Sequence, residues 1–381
     1  MEKSIVIAGY KRSPFHLANK GALTKVRPDE LVAAVIRGLI EETGVNGEDI
    51  EEIIVGNAMP EGEQGMNIGR YAVFLANLPV KTAGTTVNKW CGSSMQAIHN
   101  AAGMLTMGAG DAYIAAGVES MTRVPMGGFN PAPNPSLMAK WPETYHSMGR
   151  TAETIAEKYQ VTRDAQQEFA VASHHHAAAA RDAGMFKDEI VPIETPDNGI
   201  VSEDGIIRPD STVEALSDLK PAFLQDGTVT AGTSSPLTDG AAATLICTED
   251  YAARHDLVKL ARIKAIATTG LEPEIMGMGP VEATRKALAR AGIAMDNIDL
   301  MELNEAFASQ SLASIHELGI DPVKVNLDGG ALAIGHPLGA SGARITGKAA
   351  ATLQREGGKY AVAAMCIGGG QGIATVLEAA A

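Results

Sequence analysis

Positive charge is in short supply in this chain: 31 Lys and Arg face 45 Asp and Glu, a formal charge of −14. That balance argues against nucleic acid or an anionic membrane as the general partner. Aromatic residues are scarce as well, at 4%, so ring clusters cannot build the core. The three cysteines, Cys91, Cys247 and Cys366, stand too far apart for a disulfide framework or a zinc site and fit a reducing compartment. No stretch approaches the ~18 apolar residues of a membrane span. Residues 1–9 hold only a short strand-like apolar run where a secretory signal needs a long one. A cytoplasmic protein is expected.

What is plentiful is glycine, 41 of 381 residues, together with alanine-rich runs. Small residues let helices pack closely on sheets, which suits a layered α/β architecture of two or three domains. Residues 5–8 read as a buried strand. Pro28 and Asp29 open an amphipathic helix through Leu31, Val35, Leu39 and Ile40 that stops near Gly44, and residues 53–55 are a second strand. A helix at 70–76, a strand at 85–88, a helix after Cys91 and a strand at 113–116 follow. Such alternation predicts a mostly parallel sheet covered by helices.

The last third repeats this plan at a constant offset of 248 residues. Gly44 matches Gly292, Ile50 matches Ile298, and the run from Gly110 matches the run from Gly358. Two such halves should pack as a pseudo-twofold pair with equivalent strand-to-helix corners close together. One corner carries Cys91 and the nearly equivalent one His336. Residues 122–236 fit neither copy. They hold a proline-rich tract and helices at 151–159 and 163–183, and are long for a connection, as a lid or binding subdomain would be. His174, His175 and His176 sit in the second helix, where neighbours point to different faces, which disfavours a metal site.

Four segments could carry chemistry. Cys91, at the junction of a turn and a helix, faces free backbone N–H groups and the positive end of the macrodipole, which favour thiolate; the alternative is a small buried hydrophobe. His336 lies in the glycine-rich segment 327–344, held extended by Pro337 just before a helix. A phosphate loop would need Gly-Lys-Ser/Thr there. Cys366 ends a strand, and the glycines after it expose N–H groups suited to an oxyanion hole; a dinucleotide loop is the rival. Asn304, at the end of the strand 300–303, could orient a water or cap the next helix. The polar turn 232–241 could line a ligand groove.

Two cysteines, a Gly-His-Pro (335–337) and an Asn-Glu-Ala-Phe (304–307), in this order on a duplicated α/β plan with an insertion, closely resemble the thiolase family along the whole chain. The resemblance implies a duplicated five-layer αβαβα core. Its N-terminal half would comprise residues 1–121 and 237–258, its C-terminal half residues 259–381, and its inserted, coenzyme A-binding loop domain residues 122–236. It also implies a homodimer or homotetramer, alone or with a β-oxidation partner subunit. Coenzyme A would be a substrate, with no metal or redox cofactor.

Carried over residue by residue, the family pattern puts the acylated nucleophile at Cys91 and the acid/base at Cys366. His336 would activate Cys91 and help bind the thioester oxygen, and Asn304 would hold a water beside it. The N–H groups of Cys91 and Gly368 would form a second oxyanion hole. Met148, Arg208, Phe223, Ser235 and Phe307 fall where the family contacts pantetheine or nucleotide. The implied reaction is thiolytic cleavage of 3-ketoacyl-CoA, reversible as a Claisen condensation, with a biosynthetic acetoacetyl-CoA thiolase as the alternative. A ketoacyl synthase would need histidine at position 366, and a non-catalytic carrier of the same fold should have lost Cys91, His336 or Cys366. Ser94 replaces a glycine usual in the family, and Lys89 stands where arginine is frequent. Ser147-Met148-Gly149 and residues 232–235 look more like the degradative branch.

Overall fold

Along the core strands, successive side chains feed two different cores. Val6 and Ala8 enter one cluster while Ile5 and Ile7 enter another; Ile53 and Val55 separate from Ile54 in the same way, and Ile114 and Ala116 from Tyr113 and Ala115. A strand buried on both faces must lie between two layers of helices. The computed structural model describes residues 3–380. Its main sheet runs in the order Leu300–Leu303, Tyr360–Ile367, Gln371–Glu378, Ala261–Gly270, Ile5–Arg12, Thr238–Thr248, Ala112–Ser120, Ile50–Gly56, Ala83–Val87.

The expected repeat is visible in this topology, but the mostly parallel sheet expected from the alternation is not: most neighbouring strands run antiparallel. Ile50–Gly56 runs parallel to Ala112–Ser120, which pairs antiparallel with Thr238–Thr248, itself antiparallel to Ile5–Arg12. Leu300–Leu303, Tyr360–Ile367, Gln371–Glu378 and Ala261–Gly270 reproduce that series with the same senses. Among the described residues, the two halves pair edge to edge at Val6 with Arg262 and Ile7 with Ala261.

The sheet folds around two central helices, Ser93–Thr106 and Leu338–Glu356, whose apolar faces share one core with both halves. Helices Pro28–Thr43 and Ile68–Leu75 cover one outer face, and Gly279–Ala291 and Ala308–Leu318 the other. The layers are thus αβαβα. Between the central helices, Ser94 Oγ accepts the Ala343 N–H at 2.8 Å, and a Cβ on Gly342 would come within 2.3 Å of Met95 N. These two contacts exchange under the 248-residue offset, as a twofold axis between the helices requires. Ser94 fits because Gly56 and Gly117 lack side chains that would strike it.

Local signals set most boundaries. Pro28 at the first helical position, Asp29 and Glu30 in the first turn and Gly44 at φ +67° delimit the first helix. The insertion contributes helices Met148–Lys158 and Arg163–Asp182. Cys247 is buried in the first outer core.

Candidate active site

Cys91 does not start the helix. Strand Ala83–Val87 ends, a turn follows, and the helix begins at Ser93 with Gly92 as N-cap. Asn88 Oδ1 accepts the Trp90 N–H at 2.9 Å, and Ser93 Oγ accepts the Lys89 N–H at 2.8 Å. These bonds hold Trp90 at φ +43°, a region costly for a bulky side chain, and leave Cys91 at the tip of the turn. The sequence-based expectation of a thiolate is overturned. Burial pushes the Cys91 thiol up to about 11, and N–H groups of Gly368 and of Cys91 itself offset only part of that. Desolvation of the charged form outweighs the helix end. Cys91 rests as a thiol.

His336 follows Gly335, whose φ of +112° turns the chain toward Thr238. The His336 N–H donates to Thr238 Oγ1 at 3.0 Å. Its Nδ1 lies 2.6 Å from Ser341 Oγ, and that hydroxyl sits 3.0 Å from the Pro337 carbonyl oxygen. A hydroxyl has one proton to give. With that proton on Pro337, Nδ1–H must donate to Ser341, which leaves the lone pair on Nε2. Nε2 lies 3.4 Å from Asn304 Nδ2, a donor. Burial, reinforced by the Arg344 cation, lowers the imidazole to about 3, so His336 is neutral.

Asn304 does not cap the next helix, which begins at Ala308 with Phe307 as N-cap. Its N–H bonds the Ala364 carbonyl at 3.0 Å, and its Oδ1 is buried with no hydrogen-bond partner among the described residues. Cys366 lies near the end of strand Tyr360–Ile367, and the hairpin beyond it leads straight into strand Gln371–Glu378. No helix follows, so the dinucleotide rival falls. The hairpin glycines have a steric cause. The Trp90 ring lies against Gly368 and Gly369, where a Cβ would meet ring atoms at 3.1 and 2.5 Å, and Gly369 has φ +73°. Burial and the nearby Cys91 sulfur push the Cys366 thiol well above its ordinary value.

Cys91, His336 and Cys366 line one cavity of about 500 Å3. All five side chains expected to contact a ligand, Met148, Arg208, Phe223, Ser235 and Phe307, line it too. Phe223 and Phe307 meet edge to face, with centroids 5.9 Å apart. A Cβ on Gly149 would come within 2.1 Å of the Phe223 ring, which explains the glycine in Ser147-Met148-Gly149. His174 Nδ1 accepts the Arg208 N–H at 3.2 Å, and His175 Nε2 lies 3.0 Å from the Ser211 carbonyl oxygen, so these histidines fasten the Arg208 loop to their helix. Asn304 and Gly368 reach the site through His336 and Cys91 respectively.

Sequence reasoning missed Ser341, whose signal was a hydroxyl five residues after His336 on the next helix. The turn 232–241 does line the cavity, through residues 234–237, but sequence reasoning missed the rest of the apolar wall, Met121, Met126, Met276 and Leu338. These come from separate segments with no common pattern.

Comparison with known proteins agrees with this geometry. Residues 5–250 match the family model "Thiolase, N-terminal domain" and residues 257–379 match "Thiolase, C-terminal domain". A 3-ketoacyl-CoA thiolase of Bacillus subtilis is 45% identical over 390 residues, covering 99% of this chain and 100% of that one. An acetyl-CoA acetyltransferase of Chromobacterium violaceum is 45% identical over 376 residues, covering 94% and 95%. The crystal structure of human mitochondrial 3-ketoacyl-CoA thiolase in complex with CoA superposes with a TM-score of 0.92 at 36% identity, covering 99% of this chain and 98% of that one. With its fold, its two family domains and its full-length relatives in agreement, the chain belongs to the thiolase family.

Proposed function

We propose that this protein is a 3-ketoacyl-CoA thiolase of fatty-acid degradation, transferring an acyl group to coenzyme A through Cys91. The observation that carries the reading is the convergence of a buried thiol, an imidazole with its lone pair on Nε2 and a second thiol on one cavity. Breaking a 3-ketoacyl thioester between its α and β carbons needs a nucleophile, two places for negative oxygen and a proton donor.

In this reading the Cys91 sulfur attacks the ketone carbon as His336 Nε2 takes its proton, and the N–H groups of Cys91 and Gly368 hold the alkoxide. The α–β carbon bond then breaks. The enolate oxygen is held by the newly protonated Nε2 and by a water on Asn304, whose buried Oδ1 has capacity to hold one. Cys366 protonates the enolate carbon and releases acetyl-CoA. Its thiolate next takes the proton of incoming CoA, which attacks the acyl group on Cys91; Cys91 leaves and recovers its proton from His336. Every proton is returned, so the cycle runs equally in reverse as a condensation.

The insertion, residues 122–236, would bind coenzyme A through Met148, Arg208, Phe223 and Ser235, with Phe307 from the C-terminal half. The halves would be residues 1–121 with 237–258, and residues 259–381. We read the protein as a cytoplasmic homodimer or homotetramer. Steady-state thiolysis across 3-ketoacyl-CoA chain lengths tests the substrate class. Cleavage of substrates longer than four carbons is expected, and activity on the four-carbon substrate alone would point to the biosynthetic reaction.

A further inference from the structure

Glu119 lies at the end of a strand whose residues are otherwise almost all apolar or small, and it is fully buried. No cation pairs with it among the described residues. It accepts five N–H groups instead: on Oε1 from Asn57 Nδ2 (3.3 Å), Met59 N (3.2 Å) and Gln64 Nε2 (2.8 Å), and on Oε2 from Ala58 N (2.8 Å) and Gly339 N (2.9 Å). A buried carboxylate satisfied by backbone and side-chain amide donors from distant segments is a fastening device, since leaving it or its donors unpaired is costly.

The two donors on Oε2 lead to the two halves of the reaction. Gly339 is three residues beyond His336. Its backbone is pressed onto the ends of the first-half strands, where a Cβ would meet Val118 O at 2.6 Å and Gly56 O at 2.8 Å. On the other side, the Ala58 carbonyl accepts Asn88 Nδ2 at 3.1 Å, and Asn88 Oδ1 accepts the N–H of Trp90, the residue before Cys91. One oxygen thus ties the His336 segment to the Cys91 turn, directly at Gly339 and on the other side through the Ala58 backbone and the Asn88 side chain. The far end of the histidine segment is held likewise: Glu305 accepts the Leu332 N–H at 3.1 Å.

We propose that Glu119 is a positioning residue that sets the separation of Cys91 from His336 by holding both segments on one carboxylate oxygen. The inference rests on the roles given above to Cys91 and His336. Glutamine cannot replace it. Either amide rotamer turns an NH2 group toward N–H donors, and Gln64 cannot reverse to accept because its own oxygen already receives the Ser120 N–H.

The test is the rate of Cys91 acylation by acetyl-CoA in single turnover, together with CoA binding, in Glu119→Gln, His336→Ala and the double variant. Displacing reacting groups by about 1 Å costs about 100-fold in rate, and that loss is expected for Glu119→Gln with CoA affinity close to native. In the His336→Ala background the same substitution should cost little, because the separation it disturbs no longer matters. Glu119→Asp withdraws the carboxylate by one methylene and should fall about 10-fold; it serves as well where the glutamine variant does not fold. Gln64→Ala, which spares both bonds on Oε2, should stay close to native. Equal loss in both backgrounds, a parallel loss of CoA binding, or native acylation in the folded Asp variant would overturn the proposal. Absence of Cys91 acylation in the unaltered enzyme would instead overturn the functional reading on which it rests.

Discussion

The two turns that lead into the central helices are equivalent positions used differently. The Cys91 turn follows strand Ala83–Val87, whereas His336 follows the short helix Ala331–Ile334, so the expected pair of strand-to-helix corners is only half realised. Under the 248-residue offset Asn88 corresponds to His336, Ser93 to Ser341 and Cys91 to Gly339. In the first corner the slot of His336 is filled by an asparagine that pins the turn, and Ser93 accepts a backbone N–H. In the second, the same serine slot receives the imidazole Nδ1–H. Where the first corner presents a thiol, the second presents a bare glycine whose N–H fastens to Glu119. One corner keeps its chemistry at the tip and its scaffold at the base, and the other reverses the two. A duplicated fold can thereby place a nucleophile and a base on one cavity without building either site twice.

Substitutions that erase the chemistry on each side should have the largest effects. Cys91→Ala should abolish the acyl-enzyme, and His336→Ala should lower its rate of formation by about 100- to 10,000-fold, both read by quenched-flow mass spectrometry. Cys366→Ala sharpens the division of labour. It should still be acylated by acetyl-CoA yet fail to exchange the methyl protons of acetyl-CoA with solvent, followed by NMR; retained exchange would remove Cys366 as the acid/base.

The serine slots give a more direct comparison. Ser341→Ala removes the acceptor of the His336 Nδ1–H and should lower kcat by about 10-fold or more with little change in the KM for CoA, since groups that orient a functional histidine carry effects of about 10- to 100-fold. Ser93→Ala removes a bond that holds the Cys91 turn but touches no reacting group; it should lower kcat less than Ser341→Ala does and cost about 1 kcal/mol of stability in a denaturant titration. Equal effects on kcat would break the distinction between the corners.

Protonation offers a further check. Cys91 is raised to about 11 and His336 lowered to about 3, so both stay neutral between those values. Cys91 alkylation should therefore show no inflection near the ordinary histidine value of about 6.5. For stability the sign is the reverse of a salt-bridged histidine. His99, His174 and His336 all have folded values depressed by burial, to about 3, 4 and 3. Below about 6.5 the unfolded chain takes up protons that the folded chain refuses, so stability should fall as pH drops from there toward 4. The smallest effect belongs to Ser94→Gly, which removes the acceptor of the Ala343 N–H and should cost about 1 kcal/mol in thermal unfolding.

Much of this was legible in the sequence because the signals are local. Pro28 and Gly44 mark a helix wherever it packs, and a constant register between halves survives any rearrangement of loops. The positions of Cys91, Asn304 and Cys366 near strand ends follow from the same patterns. The protonation of Cys91 was misread because the helix end is a local property while burial is supplied by segments hundreds of residues away. Ser341 and Glu119 escaped notice for a related reason. A serine in a helix or a glutamate after an apolar strand has no distinctive spacing, and its meaning lies in the N–H group that folding brings to it. Ser94, a departure from the usual family pattern, acquires its reason only once Ala343 is seen opposite it.

The central claim is that Cys91 carries the acyl group. Peptide mapping by mass spectrometry after brief incubation with acetyl-CoA tests it most directly. The acetyl group should be found on the peptide holding Cys91 in the unaltered enzyme and in Cys366→Ala, and should vanish in Cys91→Ala. An acetyl group on Cys366, or one that persists when Cys91 is removed, would contradict the account.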